Sequence, residues 1–584
     1  MPTPKTLAAL ILISLCAGVL PVSAAELPGY FDWRLTDPTS RPSATNLPTE
    51  AVVGPVRDQV PYENCWSFAT TASLESSLNL QRQKAGLGHV ARLSERYLSW
   101  LTWAPPLDGG GDGFYFGNVQ DPAHHTFTVY GQGDSIYNPV STLVRYGTAY
   151  NDQYLYVTDY NDTTMAGISQ LAGNGVALHD NFGLQAAEIE ADNLYPTTNL
   201  NKNIAYYKKM LQTYGVLRVN YWVNAQDASE TEMKRVAALY NICETTPKLM
   251  NHAVTIVGWD DDYTMTIDGV THKGAWLMRN SWGTEYKGTP VGVDGTGYFY
   301  LAYDDATTSI GVYYNAETDW GRYTAVNTAA PAGQSIGFTN DEINKSYPAF
   351  AVQGSYKTAS KLTSSASQIL KAVGIFVPAD SMTYKIEVSL KGDTPAKTTT
   401  IYTRNGTFGE DGTAMYKGYR TVDFDKFVYL PGGQKYLVTV TLTGKDGVTY
   451  CVPISDEDNK DLAAGTSFLY DAATGTWNDV QALLNKTTSG IPLYALSKYS
   501  KEANGGDFTV VSLNDNGAGG SEIYLGKKGE LYTTDLLHPV TTTADGTTIA
   551  TGVPRYTLSN MTVELTKGLT DSVYGGVISG EGSV

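Results

Sequence analysis

The sequence predicts an α+β domain followed by an all-β sandwich. Three observations lead there. At 584 residues the chain is too long for one hydrophobic core, so roughly two to four domains are expected. Helix and strand patterns mix between Pro28 and about Tyr314. From about Gly333 to Lys498, apolar and polar residues alternate between turn signals such as "PGG" and "KDG", the pattern of a sandwich.

The elements follow in chain order. Residues 1–25 read as a secretory signal: Lys5 supplies the positive start, Leu7 to Leu20 the apolar run, and "PVSAAE" small residues for cleavage after Ala24 or Ala25. The run is shorter than the ~20 residues a membrane span needs. No second hydrophobic stretch is long enough, so no transmembrane span is expected. The protein is then secreted, at the cell surface or periplasmic. Residues 26–315 form the first domain. Ala69 to Lys84 reads as a helix, with Phe68/Ala72 and Leu74/Leu78 at four-residue spacing and Gly86 as a stop. "LSERYLSWL", "PVSTLVRYG" and "NIAYYKKMLQTYG" read as further helices, and "VLRVNYWV" as a strand. Trp103 to Asn138 and Asp159 to Asn199 lack periodicity and read as insertions or long loops. The sandwich is assigned to residues 333–498, with strands such as "KAVGIFV" and "YKIEVSL". Residues 499–584 are a Thr- and Gly-rich tail whose composition fits a repetitive β-structure, a stalk or a flexible end equally.

The chain is 42% hydrophobic and 17% charged, an ordinary globular composition. A formal net charge of −18 argues against nucleic acid or an anionic membrane as the main partner, because either is repelled. Without Cys16, which leaves with the signal, three cysteines remain: Cys65, Cys243 and Cys451. An odd count leaves at least one free thiol. Spacing alone does not exclude a Cys243–Cys451 bridge.

Cys65 stands where chemistry is expected. A thiol must become a thiolate to attack a carbonyl, and a helix N-terminus or an imidazolium favours that charge. Cys65 opens the first predicted helix. His252 begins a strand in "NHAVTIVGWDDDY", placed to act as general base and acid. "GAWLMRNSWGTEY" reads as a second strand ending in Asn280. If the two strands pair antiparallel, Asn280 reaches His252 and its side-chain oxygen fixes the ring. Trp282 then shields that bond from water. Gln59, six positions before Cys65, offers a side-chain N–H to a developing oxyanion beside the Cys65 amide. Taken singly, each has a blander use: a core histidine, a turn asparagine, a surface glutamine. Together they describe one site.

These residues resemble the papain-like cysteine peptidases. "QVPYENCWSFA", "NHAVTIVG" and "NSWGT" match three of that family's motifs in its order. "LPGYFDWR", "LSERYL" and "GTGYFYL" extend the likeness over about Leu27 to Tyr314. The resemblance implies a helical lobe and a β-barrel-like lobe with a cleft between them. It implies Cys65 as nucleophile, His252 as base, Asn280 as its orienter and Gln59 in the oxyanion hole. It places Gly110, Gly111, Trp282 and Asn251 at the substrate, with no cofactor and no metal. The segment from Gly333 to Lys498 resembles the lectin-like domain that follows such peptidases in bacteria, with a glycan or cell-surface component as the partner it brings to mind.

Four departures stand out. Tyr62 replaces a frequent half-cystine. "ENC" replaces "GSC". His252 follows Cys65 by 187 residues, longer than the usual separation of roughly 130–150. "FDWR" follows the signal so closely that no inhibitory propeptide is expected before it. The function expected is that of a secreted bacterial cysteine endopeptidase acting on protein or peptide substrates through a thioester. The rivals are an acyltransferase using the same thioester and an adhesin using the fold as scaffold.

Overall fold

The structure is a computed structural model. With short gaps, it describes residues 27–86, 91–103, 138–157, 175–184, 204–223, 241–244, 250–317, 323–330 and 348–499, and the backbone of strands between 509 and 579. The signal segment and the glycines Gly110 and Gly111 lie outside the described residues.

The first helix, α1 (Cys65–Lys84), opens at the cysteine itself, four residues before the start that periodicity predicts. It is buried almost all round from Trp66 to Leu80, so it is a central helix and not a surface one. Its many Ser and Thr residues allow close approach to neighbours and are satisfied by hydrogen bonds. Ser67 Oγ donates to Glu95 O at 2.8 Å and Ser73 Oγ to Val216 O at 2.8 Å. The helix stops at Gly86, whose φ of +71° suits glycine. Beside it lie α2 (Glu95–Trp103) and α3 (Asn138–Arg145). These three helices share one apolar core built on Trp66, Leu74, Tyr97, Leu101 and Leu143.

The second lobe is mostly strand. Its elements are β1 (Tyr30–Asp32), β2 (Gly175–Leu184), the helix α4 (Ile204–Tyr214), β3 (Leu217–Tyr221), β4 (Asn241–Ile242), β5 (His252–Ile267), β6 (Val270–Arg279), β7 (Tyr298–Ala302) and β8 (Ile310–Glu317). β5 and β6 form the predicted antiparallel hairpin, with Thr255 opposite Arg279. β3 and β1 flank β5, and β7 lies between β6 and β4. Phe31 stacks on Trp259 at 4.7 Å, and a Cβ on Gly258 would stand 2.2 Å from Phe31 O. Only glycine therefore lets β1 lie against β5. Burying side chains such as Trp259 and Trp276 stabilises by about 1.5–3 kcal/mol each.

The sandwich follows as predicted, with an earlier start. β9 (Ala325–Asn327) already pairs with its last strand, eight residues before the expected boundary at 333. Next come β10 (Ser355–Thr363), β11 (Gln368–Val377), β12 (Thr383–Leu390), β13 (Thr399–Thr407), β14 (Gly418–Leu430), β15 (Lys435–Thr443), β16 (Ser467–Asp471), β17 (Thr476–Asp479) and β18 (Leu493–Tyr499). One sheet runs β13-β12-β15-β10-β16-β17, and β11 lies between β14 and β18 in the other. Leu370, Val373, Ile386, Val388, Val438 and Val440 fill the space between them.

The stretch from Asp159 to Asn199, read as a loop or insertion, contains β2. This strand pairs antiparallel with β8 of the first domain and with β14 of the sandwich, Phe182 opposite Gly418. A strand shared by two domains is fixed by long-range pairing, which periodicity does not report. The helical core accordingly continues into Phe376, Tyr419 and Tyr494 of the sandwich. Beyond residue 500 the backbone forms short antiparallel strands.

Candidate active site

Cys65 sits at the first turn of α1, partly exposed, with its sulfur on the strand lobe. The backbone N–H of Ala253, the residue after His252, donates to Cys65 Sγ at 3.4 Å. The sequence brings 188 residues of separation down to one contact because β5 starts where α1 starts. The Asn64 that precedes the cysteine does not cap the helix with its side chain. It is buried, donating Nδ2 to Ser99 Oγ at 3.0 Å and accepting from Tyr156 OH at 2.8 Å. The "ENC" departure thus fastens the start of α1 to α2 and to the 154–156 segment.

His252 is buried at the start of β5. Its Nε2 and Asn280 Oδ1 lie 3.0 Å apart, the contact the hairpin predicts. Asn280 Oδ1 also accepts from Ser281 N at 2.8 Å, which holds the amide oxygen toward the ring. With Oδ1 as acceptor, Nε2 carries the proton and Nδ1 is left as the base. Trp282 stacks on the imidazole, centroids 4.6 Å apart and planes 20° apart, and is itself buried. Tyr221 faces the ring at 5.7 Å. The indole thus covers His252 and shields the bond to Asn280, as the sequence reading expects.

Gln59 is buried and fixed at both ends of its amide. Ser281 Oγ donates to Oε1 at 2.6 Å, and Nε2 donates to Tyr62 O at 2.9 Å. An amide nitrogen carries two protons, and Tyr62 takes one. Its backbone N–H donates to Ser281 O at 2.7 Å. Asn251, the other expected substrate contact, exchanges two hydrogen bonds of 2.7 Å with the backbone of Val223. Its side chain therefore pins the entry to β5.

Three features were not read from the sequence. Ser281, within "NSWGT", touches both Gln59 and Asn280. Arg57 pairs with Glu75 at 2.9 Å and with Glu95, tying the Gln59 segment to α1 and α2. Arg218 on β3 is fully buried and donates to Thr70 Oγ1 at 2.9 Å and Tyr314 OH at 3.1 Å. No local pattern announces a buried arginine.

The electrostatics oppose one another. Burial pushes the Cys65 thiol up, while the Ala253 amide and the Arg218 charge pull it down. Burial lowers the His252 imidazolium to about 4, against the hydrogen bond that its Nε2–H donates to Asn280. Either group charged alone is disfavoured. Moving the proton from sulfur to ring makes a pair instead, with the Ala253 N–H, Arg218 and the α1 N-terminus on the sulfur side and Asn280 on the ring side.

Cys243 and Cys451 are not joined by a disulfide, so the bridge left open by spacing is not made. Cys451 is buried in the sandwich, and Cys243 lies beside His272 and Asp304.

A helical lobe that opens with Cys65 meets a strand lobe whose Ala253 amide bonds the sulfur beside the His252–Asn280 pair, and this two-lobe arrangement is the papain-like fold. Comparison with known proteins agrees. Residues 178–315 match the model of the papain family cysteine protease, and residues 350–495 that of the lectin like domain. The chain therefore carries a papain-family cysteine protease domain followed by a lectin-like domain. It is 23% identical over 265 residues to the thiol protease aleurain of Arabidopsis thaliana, covering 45% of this chain and 55% of that protein. It is 23% identical over 258 residues to cysteine proteinase 2 of Dictyostelium discoideum, covering 43% of this chain and 61% of that protein. The chain thus spans little more than half the length of these curated relatives. Among solved structures, the clostridial cysteine protease Cwp84 after propeptide cleavage superposes with a TM-score of 0.54 at 18% identity, over 77% of this chain and 97% of that one. The cysteine protease and lectin-like domains of Cwp84, a surface layer associated protein of Clostridium difficile, give 0.54 at 17% identity, over 77% and 87%. At that identity the likeness shows the shared two-domain fold.

Proposed function

We propose that the protein is a secreted or cell-surface cysteine endopeptidase working through a thioester acyl-enzyme. The observation that carries this is the His252–Asn280 bond, with Cys65 Sγ held by the amide next to that histidine. Cys65 sulfur attacks the peptide carbonyl as its proton passes to His252 Nδ1. The carbonyl oxygen becomes an oxyanion, received by the second Gln59 Nε2 proton and the Cys65 N–H. The C–N bond breaks as His252 returns the proton to the leaving amine. Water then attacks the thioester, His252 takes its proton, and the carboxylic acid departs as the thiol re-forms.

Asn280 holds the ring by Nε2 and so leaves Nδ1 as the base, and Trp282 keeps water from the Nε2 bond. Burial disfavours free imidazolium, so the ring readily gives its proton back to the amine. The sandwich packs firmly on the helical lobe, which suits a domain that holds the peptidase at a surface. A glycan or other cell-surface component is its proposed partner, tested by binding of the full chain to a glycan array.

Peptide-library profiling of the full chain, with Cys65→Ala as control, tests the enzymatic reading. Cleavage by the wild type and none by the variant is the expected result. Equal turnover by both, or no cleavage of any peptide, overturns it.

A further inference from the structure

Away from the cleft, three chemically active side chains converge at the far end of the strand lobe. Cys243 follows β4, His272 lies on β6, and Asp304 follows β7. Cys243 Sγ stands 3.6 Å from His272 Nδ1 and 3.8 Å from Asp304 Oδ1, and His272 Nδ1 stands 2.7 Å from Asp304 Oδ2. The three ligand atoms all lie within 4.8 Å of one another. We propose that Cys243, His272 and Asp304 bind a zinc ion, with solvent as the fourth ligand.

Geometry is the first argument. Zinc bonds of about 2.3 Å to sulfur and about 2.0–2.2 Å to nitrogen and oxygen, at tetrahedral angles, place ligand atoms about 3.3–3.6 Å apart. The sulfur–nitrogen edge of 3.6 Å fits with hardly any movement, while the sulfur meets Asp304 Oδ1 at 3.8 Å and the nitrogen meets Oδ2, so the exposed carboxylate must turn to present one oxygen to both. The nitrogen–oxygen edge of 2.7 Å is that of a hydrogen bond. It must open by roughly half an ångström, exchanging a hydrogen bond for coordination.

The site is also built. β7 lies between β4 and β6 and sets the spacing of the three segments. Glu244 N donates to Asp305 Oδ2 at 2.8 Å, and Ala306 N donates to Glu244 O at 2.7 Å. These bonds clamp the residue after Cys243 to the turn that carries Asp304. Asp305 is further held by Thr307, at 2.9 and 2.8 Å, and so serves the frame. The His272 side chain is 3% exposed and the Asp304 side chain 62%, so a preset nitrogen lies behind a carboxylate that is open to solvent.

The donor set decides which ion fits: a thiol, an imidazole and a carboxylate converge here, and a coordinating thiol gives up its proton outright. Binding forms the Zn–S bond and releases that proton to solvent. The thiolate, imidazole and single carboxylate favour zinc over calcium or magnesium, which take oxygen ligands. A bound ion would tie β4, β6 and β7 together at one edge of the lobe.

The test uses the full chain carrying Cys65→Ala, so that the catalytic thiol contributes no metal. The protein is loaded with Zn2+, desalted and counted by mass spectrometry, then loaded with Co2+ and read for a thiolate-to-cobalt charge-transfer band. One ion per chain, the band, and a higher melting temperature with zinc are expected. Adding Cys243→Ser should abolish the band. Adding Asp304→Asn, at an exposed carboxylate that leaves the fold intact, should weaken binding at least about tenfold. No retained zinc at micromolar concentration overturns the proposal and leaves a hydrogen-bonded cluster. So does equal binding by the folded Asp304→Asn variant.

Discussion

The lock on Gln59 makes a prediction that separates donating a hydrogen bond from positioning the donor. Gln59→Ala removes the side-chain donor itself. Loss of one such donor typically costs about 3–4 kcal/mol of transition-state stabilisation, a fall of about 10²–10³ in kcat. Ser281→Ala leaves the donor in place but deletes the 2.6 Å bond that holds Oε1. The bond from Nε2 to Tyr62 O and the backbone bond from Gln59 N to Ser281 O remain. One neutral hydrogen bond is worth about 0.5–1.5 kcal/mol, so kcat should fall by roughly two- to tenfold. Because Ser281 acts through Gln59, the two losses should not add. The double variant should be no slower than Gln59→Ala alone. The assay is kcat and KM on one fluorogenic peptide for the four proteins of the cycle. Fully additive losses, or a Ser281→Ala defect as large as that of Gln59→Ala, would refute the assigned roles.

Two further outcomes follow from burial. In Cys65→Ala the imidazole has no thiol to share a proton with, so His252 should titrate near 4, well below the usual value of about 6.5 for histidine. A base whose folded pKa is depressed stabilises the fold above the unfolded pKa. That contribution of about 3 kcal/mol is lost as pH falls from about 6.5 toward 4. Denaturant melts of Cys65→Ala, compared with Cys65→Ala carrying His252→Gln, should show this loss only in the first. Arg57→Ala leaves Glu75 and Glu95 buried without their cation, and breaking such a pair costs about 3–5 kcal/mol. Thermal unfolding should fall by many degrees, and an unchanged melting temperature would show that the network is not needed.

The sequence made the site's main contacts legible because they are carried by short segments with strong local character. A cysteine at a helix start and a histidine opposite an asparagine on a hairpin are properties of neighbours in the chain or the register. What stayed hidden is set by tertiary packing. β2 reads as loop in "GVALHDNFGL" because its partners, β8 and β14, lie over a hundred residues away and supply its pairing. Ser281 looks like part of a turn until Gln59 is seen against it. The indole of Trp282 covers His252 as the sequence leads one to expect, whereas the fastening of Val223 by Asn251 is visible only in the fold. Cys243, His272 and Asp304 stand 29 and 32 residues apart, a spacing that matches no ligand motif, and only adjacent strands make them neighbours.

The account rests on Cys65 as the attacking atom, and one experiment reaches it directly. The full chain is treated with a peptidyl epoxide, digested and mapped by mass spectrometry, alongside His252→Ala and Asn280→Ala. A single adduct on Cys65, formed at least about tenfold more slowly without His252 and absent from Cys243 and Cys451, is what the geometry predicts. Modification at another thiol with Cys65 untouched, or a Cys65 adduct formed equally fast without the histidine, would contradict it.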